Sequence, residues 1–301
     1  MTRSCIGIWD YMTGKMKFTL ANSAMGSIIT HAIVNEEGTF IVAAESGEIL
    51  IWDLQRREVV CKDDQENVAQ LFFNKAQTRC MVVSNEGTVG SYRGVCVCRS
   101  FPEGVRQFTF DYPHQVFRDV LYTSDEKHLV CYGCCNKKDH LFVHSADDGE
   151  LLSTIPVKYP GFKKVSKVVP LPDKPSTVAL IDVDRGAMID VVSKKFLKSI
   201  PNWDGSCTND GRYGLFAPPT GGMHMLDLRT GIVSQTLIPK SAEGIFDVTA
   251  IFNKTNEYVL YYHSGRKTVR AFRRKNGEMI ANFRVQADLK VCYLCLAEGP
   301  E

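Results

Sequence analysis

A chain of 301 residues with 36 basic and 34 acidic side chains carries a formal charge of only +2, which argues against a nucleic-acid binder or a polybasic membrane protein. An apolar content of 44% excludes disorder and supplies ample core, yet no apolar run reaches the roughly 18 residues that cross a bilayer. The opening Met1–Asp10 lacks the blocks of a signal peptide, so the eleven cysteines read as reduced thiols of a cytoplasmic chain.

The first phrase along the chain, "CIGIWDY" at 5–11, places Trp9 and Asp10 behind an alternating apolar run. "EILIWDL" at 48–54 repeats it with Trp52 and Asp53. Weaker echoes follow at Ser91-Tyr92-Arg93, Val143-His144-Ser145, Ile189-Asp190-Val191, Leu226-Asp227-Leu228 and Ala271-Phe272-Arg273. Their spacing of about 37 to 52 residues is the range of four-stranded propeller blades. Glycine-ended turns follow many of the echoes: "DYMTGK", "ADDGE", "DLRTGI" and "RRKNGE". A second turn precedes them ("ESGE", "NEGT", "DRGA", "TGGM", "SGRK"), and a third lies earlier still ("NEEGT", "TSDEK", "TNDGR", "NKTNE"). Glycine supplies positive φ, and Asp or Asn bonds its own backbone, so each turn suits a strand reversal. The intervening runs, such as "TFIVAAE" and "YVLYYHS", have strand length and composition, and no segment sustains helical periodicity.

The pattern predicts an all-β chain, a single WD40-type β-propeller over 1–301. Six full four-stranded blades fall near 27–63, 68–101, 117–157, 166–202, 203–239 and 246–285. A seventh, incomplete blade is split between the termini (5–20 with 288–297) and lacks a clear second strand. Two readings of that split stay open: a piece of a longer protein, or an intact propeller with one reduced blade.

The chain resembles the WD-repeat family, with Trp9-Asp10, Trp52-Asp53 and Asp227 in the places of its strand-end motif. The family's Gly-His dipeptide is missing, so its buried His–Ser/Thr–Trp–Asp network is incomplete in every blade. "DLRTGIVSQTL" and "VRAFRRKNGEMIANFRV" are similar to the carboxy-terminal repeats of the NACHT and WD repeat domain-containing proteins. That resemblance implies a non-catalytic scaffold or sensor attached to a nucleotide-binding module. The module's G-x-x-x-x-G-K-[ST] loop does not occur in this chain.

Single-residue chemistry is weak. Cys131, Cys134, Cys135 and His140 have zinc-like spacing, but a strand sends neighbours to opposite faces, and packed thiols explain them as well. Packing also accounts for Cys292 and Cys295, and for Cys96 and Cys98 on one strand face. Asp182 and Asp184 lack the rest of a calcium loop, and Ser124 with Lys127 lies in a hairpin rather than on a catalytic helix. No metal or cofactor is expected.

Two features suggest protein partners, of unknown identity. The connection at 101–119 carries Phe108, Phe110 and Tyr112, and reads either as a binding loop or as a misregistered strand packing between blades. A basic stretch holds Arg266, Lys267, Arg270, Arg273, Arg274 and Lys275. Another runs through Lys158, Lys163, Lys164, Lys167 and Lys174. Either could meet phosphate, nucleic acid or an acidic peptide, although solvated turns would look the same. A propeller hydrolase is the enzymatic alternative. Its first-strand starts would carry Asp119 and Asp247 but also Ile28, Ala69 and Lys167, a scatter that disfavours a metal-centred site.

Overall fold

A computed structural model of the chain describes residues 6–10, 13–20, 28–88, 91–135, 138–158, 165–182, 185–216, 218, 222–238, 248–253, 255–263 and 266–284. Among them every element is a β-strand, as the sequence predicts. A hairpin of β1 (Ile6–Trp9) and β2 (Met16–Leu20) opens the chain. Six antiparallel meanders follow, the blades of a β-propeller. The first holds β3 (Ile29–Val34), β4 (Phe40–Glu45), β5 (Glu48–Asp53) and β6 (Glu58–Asp64). The second holds β7 (Val68–Phe73), β8 (Arg79–Thr88), β9 (Ser91–Ser100) and β10 (Arg106–Pro113). The third comprises β11 (Val116–Tyr122), β12 (His128–Cys135), β13 (Lys138–Ser145) and β14 (Leu151–Pro156). The fourth comprises β15 (Lys167–Pro170), β16 (Thr177–Ile181), β17 (Arg185–Asp190) and β18 (Lys195–Pro201). The fifth has three strands, β19 (Tyr213–Phe216), β20 (Met223–Asp227) and β21 (Ile232–Ile238). The sixth is β22 (Val248–Phe252), β23 (Tyr258–His263), β24 (Thr268–Arg273) and β25 (Met279–Arg284).

The chain divides into two compact units, Met1–Ile6 with Thr19–Pro160 and Cys295–Glu301, and Gly7–Phe18 with Gly161–Leu294. Within each, consecutive sheets pack face to face. The second meander shows why its strands read as unbroken apolar runs. In β8, Cys80 and Val82 join a core with Val42, Ala44, Ile49 and Ile51 of the first sheet. The intervening Met81 and Val83 join Phe117, Val120, Leu129 and Cys131 of the third. β9 alternates likewise, Val95 and Val97 to one side, Cys96 and Cys98 to the other. With both faces buried, period-two patterning has no polar half, as in other doubly covered sheets.

One register feature recurs in every meander. Trp52 pairs with Val59, Arg99 with Arg106, His144 with Leu151, Ile189 with Phe196, Leu226 with Val233 and Phe272 with Met279. Each pair adjoins a bulge, and each first member is buried. Between the partners lies a left-handed residue: Arg57, Gly104, Gly149, Lys194, Gly231 or Gly277. The same conformation at Gly14 follows Trp9. A tight turn closed by such a bulge matches the twist of the strands it joins.

This register corrects the sequence reading of the second blade. The equivalent of Trp52-Asp53 is Arg99-Ser100, not Ser91-Tyr92-Arg93, because the β8–β9 hairpin is unusually long. The fourth strand, β10, therefore lies beyond the expected limit at 101, and of the two readings of 101–119 the strand is what the fold contains. The fifth blade's expected opening strand near Trp203 is reduced to a single bridge between Cys207 and Gly214. Trp203 is buried there, and its indole Nε1 donates to the Ser206 carbonyl at 2.8 Å. A Cβ at Gly186 or Gly214 would lie 2.5 Å from its ring, so both sites require glycine. The expected strand at 288–297 lies outside the described residues.

Where a polar residue takes the Trp position, it recruits partners. Arg99 Nη1 meets Asp63 Oδ2 at 2.5 Å and the Gly104 carbonyl at 3.2 Å. His144 Nδ1 donates to the Gly149 carbonyl at 2.9 Å, which leaves Nε2 to accept the Tyr112 hydroxyl at 3.0 Å. Phe110 stacks on the imidazole with centroids 3.9 Å apart. Burial lowers the His144 pKa from the ordinary 6.5.

Two outcomes follow from this packing. Trp52→Ala should cost roughly 3–5 kcal/mol, because it opens a cavity at a buried aromatic. Asp53→Ala, which loses only turn hydrogen bonds, should cost about 1–2 kcal/mol; urea denaturation of both variants separates the two effects. For His144, the unfolded chain takes up a proton near pH 6.5, whereas the folded chain does so only at lower pH. Its contribution is therefore full above that value and is lost as the pH falls toward the folded pKa. His144→Gln should flatten this part of the profile; His31, also lowered by burial, preserves some slope. Denaturation midpoints that change with pH identically in both proteins would refute the assignment.

Candidate functional site

The Asp residues that mark the repeat are turn-builders. Asp10 Oδ1 accepts the Thr13 amide at 2.9 Å. Asp53 Oδ1 accepts those of Gln55 (2.8 Å) and Arg56 (2.9 Å), and Asp227 Oδ1 that of Arg229 (2.9 Å). The Arg229 side chain also bonds Asp227, holding its carboxyl below the usual range. Trp52 is buried; the Trp9 side chain lies outside the described residues.

Phe108, Phe110 and Tyr112 project from one face of β10, half-buried against the core between the second and third sheets. That face is occupied by packing: Phe110 and Tyr112 contact His144, and Phe108 closes on Gly149. Cys131, Cys96 and Cys98 belong to the same core, and burial pushes their thiols up; Cys80, in the neighbouring core, reaches about 12. The described residues contain no metal-holding group of three or more His, Cys, Asp or Glu. Cys292, Cys295, Asp184, Asp247, Lys163 and Lys164 lie outside the described residues, as do the side chains of Cys134 and Cys135. Asp119 Oδ1 accepts Gln70 Nε2 at 3.0 Å. The Asp182 amide donates to the Arg185 carbonyl at 2.8 Å, and Lys127 donates its amide to Asp125 within the β11–β12 turn. Lys158 and Lys167 are exposed, and Lys174 pairs with Asp173 at 2.7 Å.

The basic stretch from Arg266 to Lys275 is where a concave site forms. Arg266, whose amide donates to His263 Nδ1, Lys267 and Arg270 lie at the start of β24, away from it. Farther along, Arg273, Arg274 and Lys275 line a cleft of about 490 Å³ with Tyr213, Met225, Gln235, Glu257 and Tyr258. All belong to the second unit, in the fifth and sixth meanders. Met225 is buried and continues into the core containing Leu237 and Tyr261. The Arg274 guanidinium lies 5.7 Å from the Tyr213 ring centroid, and that of Arg212 4.9 Å.

The turn that carries the cations is pinned from several sides. The Arg273 amide donates to the Glu278 carbonyl (2.8 Å) and the Gly277 amide to the Arg273 carbonyl (2.9 Å). Arg274 donates its amide to the Glu257 carbonyl at 2.7 Å. The Arg273 side chain pairs with Glu278 at 2.6 Å. Sequence reading found the cations but missed Tyr213, Met225, Gln235, Glu257 and Tyr258. No local pattern marks those five, because the neighbouring sheet brings Tyr213, Met225 and Gln235 alongside and strand pairing within the sixth meander brings Glu257 and Tyr258.

Among the described residues no helix is long and apolar enough to cross a membrane. A comparison with curated proteins finds no match. The family model described as "NWD2 C-terminal beta-propeller" matches residues 1–299, and the chain, with its six meanders and recurring bulged turn, belongs to that family.

Proposed function

We propose that this chain is a non-catalytic protein-interaction scaffold, the sensing propeller of a larger NACHT-type signalling ATPase in the cytoplasm. Family membership over residues 1–299 is the observation that carries the reading. The turns between first and second strands support it. The Glu36 amide donates to Gln77 Oε1 of the next sheet at 2.9 Å, and the Lys75 amide to Glu126 Oε1 of the one after. In the second unit the Asn209 amide repeats the bond to Asn256 Oδ1 at 3.2 Å. Neighbouring turns are thereby held side by side, so a partner meets residues from more than one sheet on a fixed surface. Partner binding would in turn bias the nucleotide module, a coupling between two sites.

Proximity labelling in cells tests this. Proteins labelled by the full-length parent should include a set that disappears when residues 27–285 are deleted. Identical labelled sets would remove the scaffold reading.

A further inference from the structure

We infer that the cleft between the fifth and sixth meanders binds an acidic peptide segment, a deepening of the scaffold reading on which it rests. Its lining sets three cations, Arg273, Arg274 and Lys275, against one carboxylate, Glu257. Arg273 already pairs with Glu278; Arg274, whose charge also acts on the Asp210 carboxylate, and Lys275 are the principal anion-facing groups. Arg274 is half-buried, its backbone amide is bonded to the Glu257 carbonyl and its guanidinium lies against the Tyr213 ring, which reduces the freedom its charge has left to lose.

The rest of the lining argues for a peptide over a compact anion. Met225, Tyr213 and Tyr258 offer an apolar and aromatic floor, and Gln235 offers an amide donor and acceptor. A small polyanion would leave that floor unused and would face Glu257. An extended segment can set its carboxylates along Arg274 and Lys275 and drop an apolar side chain between the tyrosines. A cavity of this size is within the roughly 300–1,000 Å³ of ligand sites and accommodates a few side chains. Nucleic acid is the poorer fit, because the chain as a whole is nearly neutral.

The test uses short fluorescent peptides that mix Asp or Glu with apolar residues, beside matched Asn/Gln peptides and a single-stranded oligonucleotide. Fluorescence polarisation is read on the whole chain. Acidic peptides should bind, weaken as salt is raised, and lose roughly tenfold or more in affinity with Arg274→Glu. Glu257→Gln should tighten binding by about twofold or more, a gain that misfolding could not produce. Thermal melts check that both variants fold. The inference is overturned if no acidic peptide binds, if Asn/Gln peptides or the oligonucleotide bind as well, or if both substitutions leave affinity unchanged. Partners captured by proximity labelling that are indifferent to Arg274→Glu would also overturn it, while leaving the scaffold reading in place.

Discussion

A four-stranded meander has two broad faces and too little material to cover either, so each sheet here depends on burying a face against a neighbour in its own unit. In the first unit, the second sheet is the shared wall, with Cys80, Val82, Val95 and Val97 on one side and Met81, Val83, Cys96 and Cys98 on the other. In the second unit, Ile181, Met188, Trp203 and Leu226 bind the fourth sheet to the fifth, and Met223, Val259 and Phe272 bind the fifth to the sixth. At about 1.5–3 kcal/mol for each large apolar side chain removed from water, these interfaces dominate the favourable side of folding. The hydrogen-bonded ladders set their geometry.

Once burial is shared between sheets, the residue at the Trp52 position can vary widely. Trp, Arg, His, Ile, Leu and Phe all occupy it, each buried. What recurs is the bulge and the left-handed residue that follows, at Arg57, Gly104, Gly149, Lys194, Gly231 and Gly277. Two of the six lack glycine, and a left-handed non-glycine residue carries a cost of about 1–2 kcal/mol. The polar occupants recruit help. Arg99 draws Asp63 across from the preceding sheet, and His144 draws Tyr112 and Phe110.

This accounts for what was legible in the sequence. The turns carry chemistry that survives substitution, since Asp, Asn, Thr and Gly act locally, and so four of the five later echoes of the Trp-Asp phrase fall at equivalent register positions. The second blade misled because its third strand ends on Arg99-Ser100, where neither residue resembles Trp-Asp. Trp203-Asp204 shows the converse. It has the motif's letters, but Trp203 packs on Gly186 and Gly214, and Asp204 accepts the Ser206 amide and hydroxyl. The cleft was half legible. A basic run is visible in one dimension, whereas the floor beneath it is assembled from Tyr213 and Met225 of the fifth meander and Tyr258 of a paired strand in the sixth.

The doubly buried strands also bear on how alignment errors are prevented. In a half-exposed strand, sliding by one residue drives polar groups inward and is self-correcting. In β8 the same slide would exchange Cys80 and Val82 for Met81 and Val83, apolar for apolar. Polarity offers no protection there; only side-chain volume and the bonds at the strand ends distinguish the two alignments. Asn74 supplies such a bond, its Oδ1 accepting the Arg79 amide at 2.7 Å, and at the far end Asn85 Nδ2 donates to the Phe117 carbonyl at 2.9 Å. Two asparagines thus act as pegs for a strand whose interior carries almost no information about where it should stop.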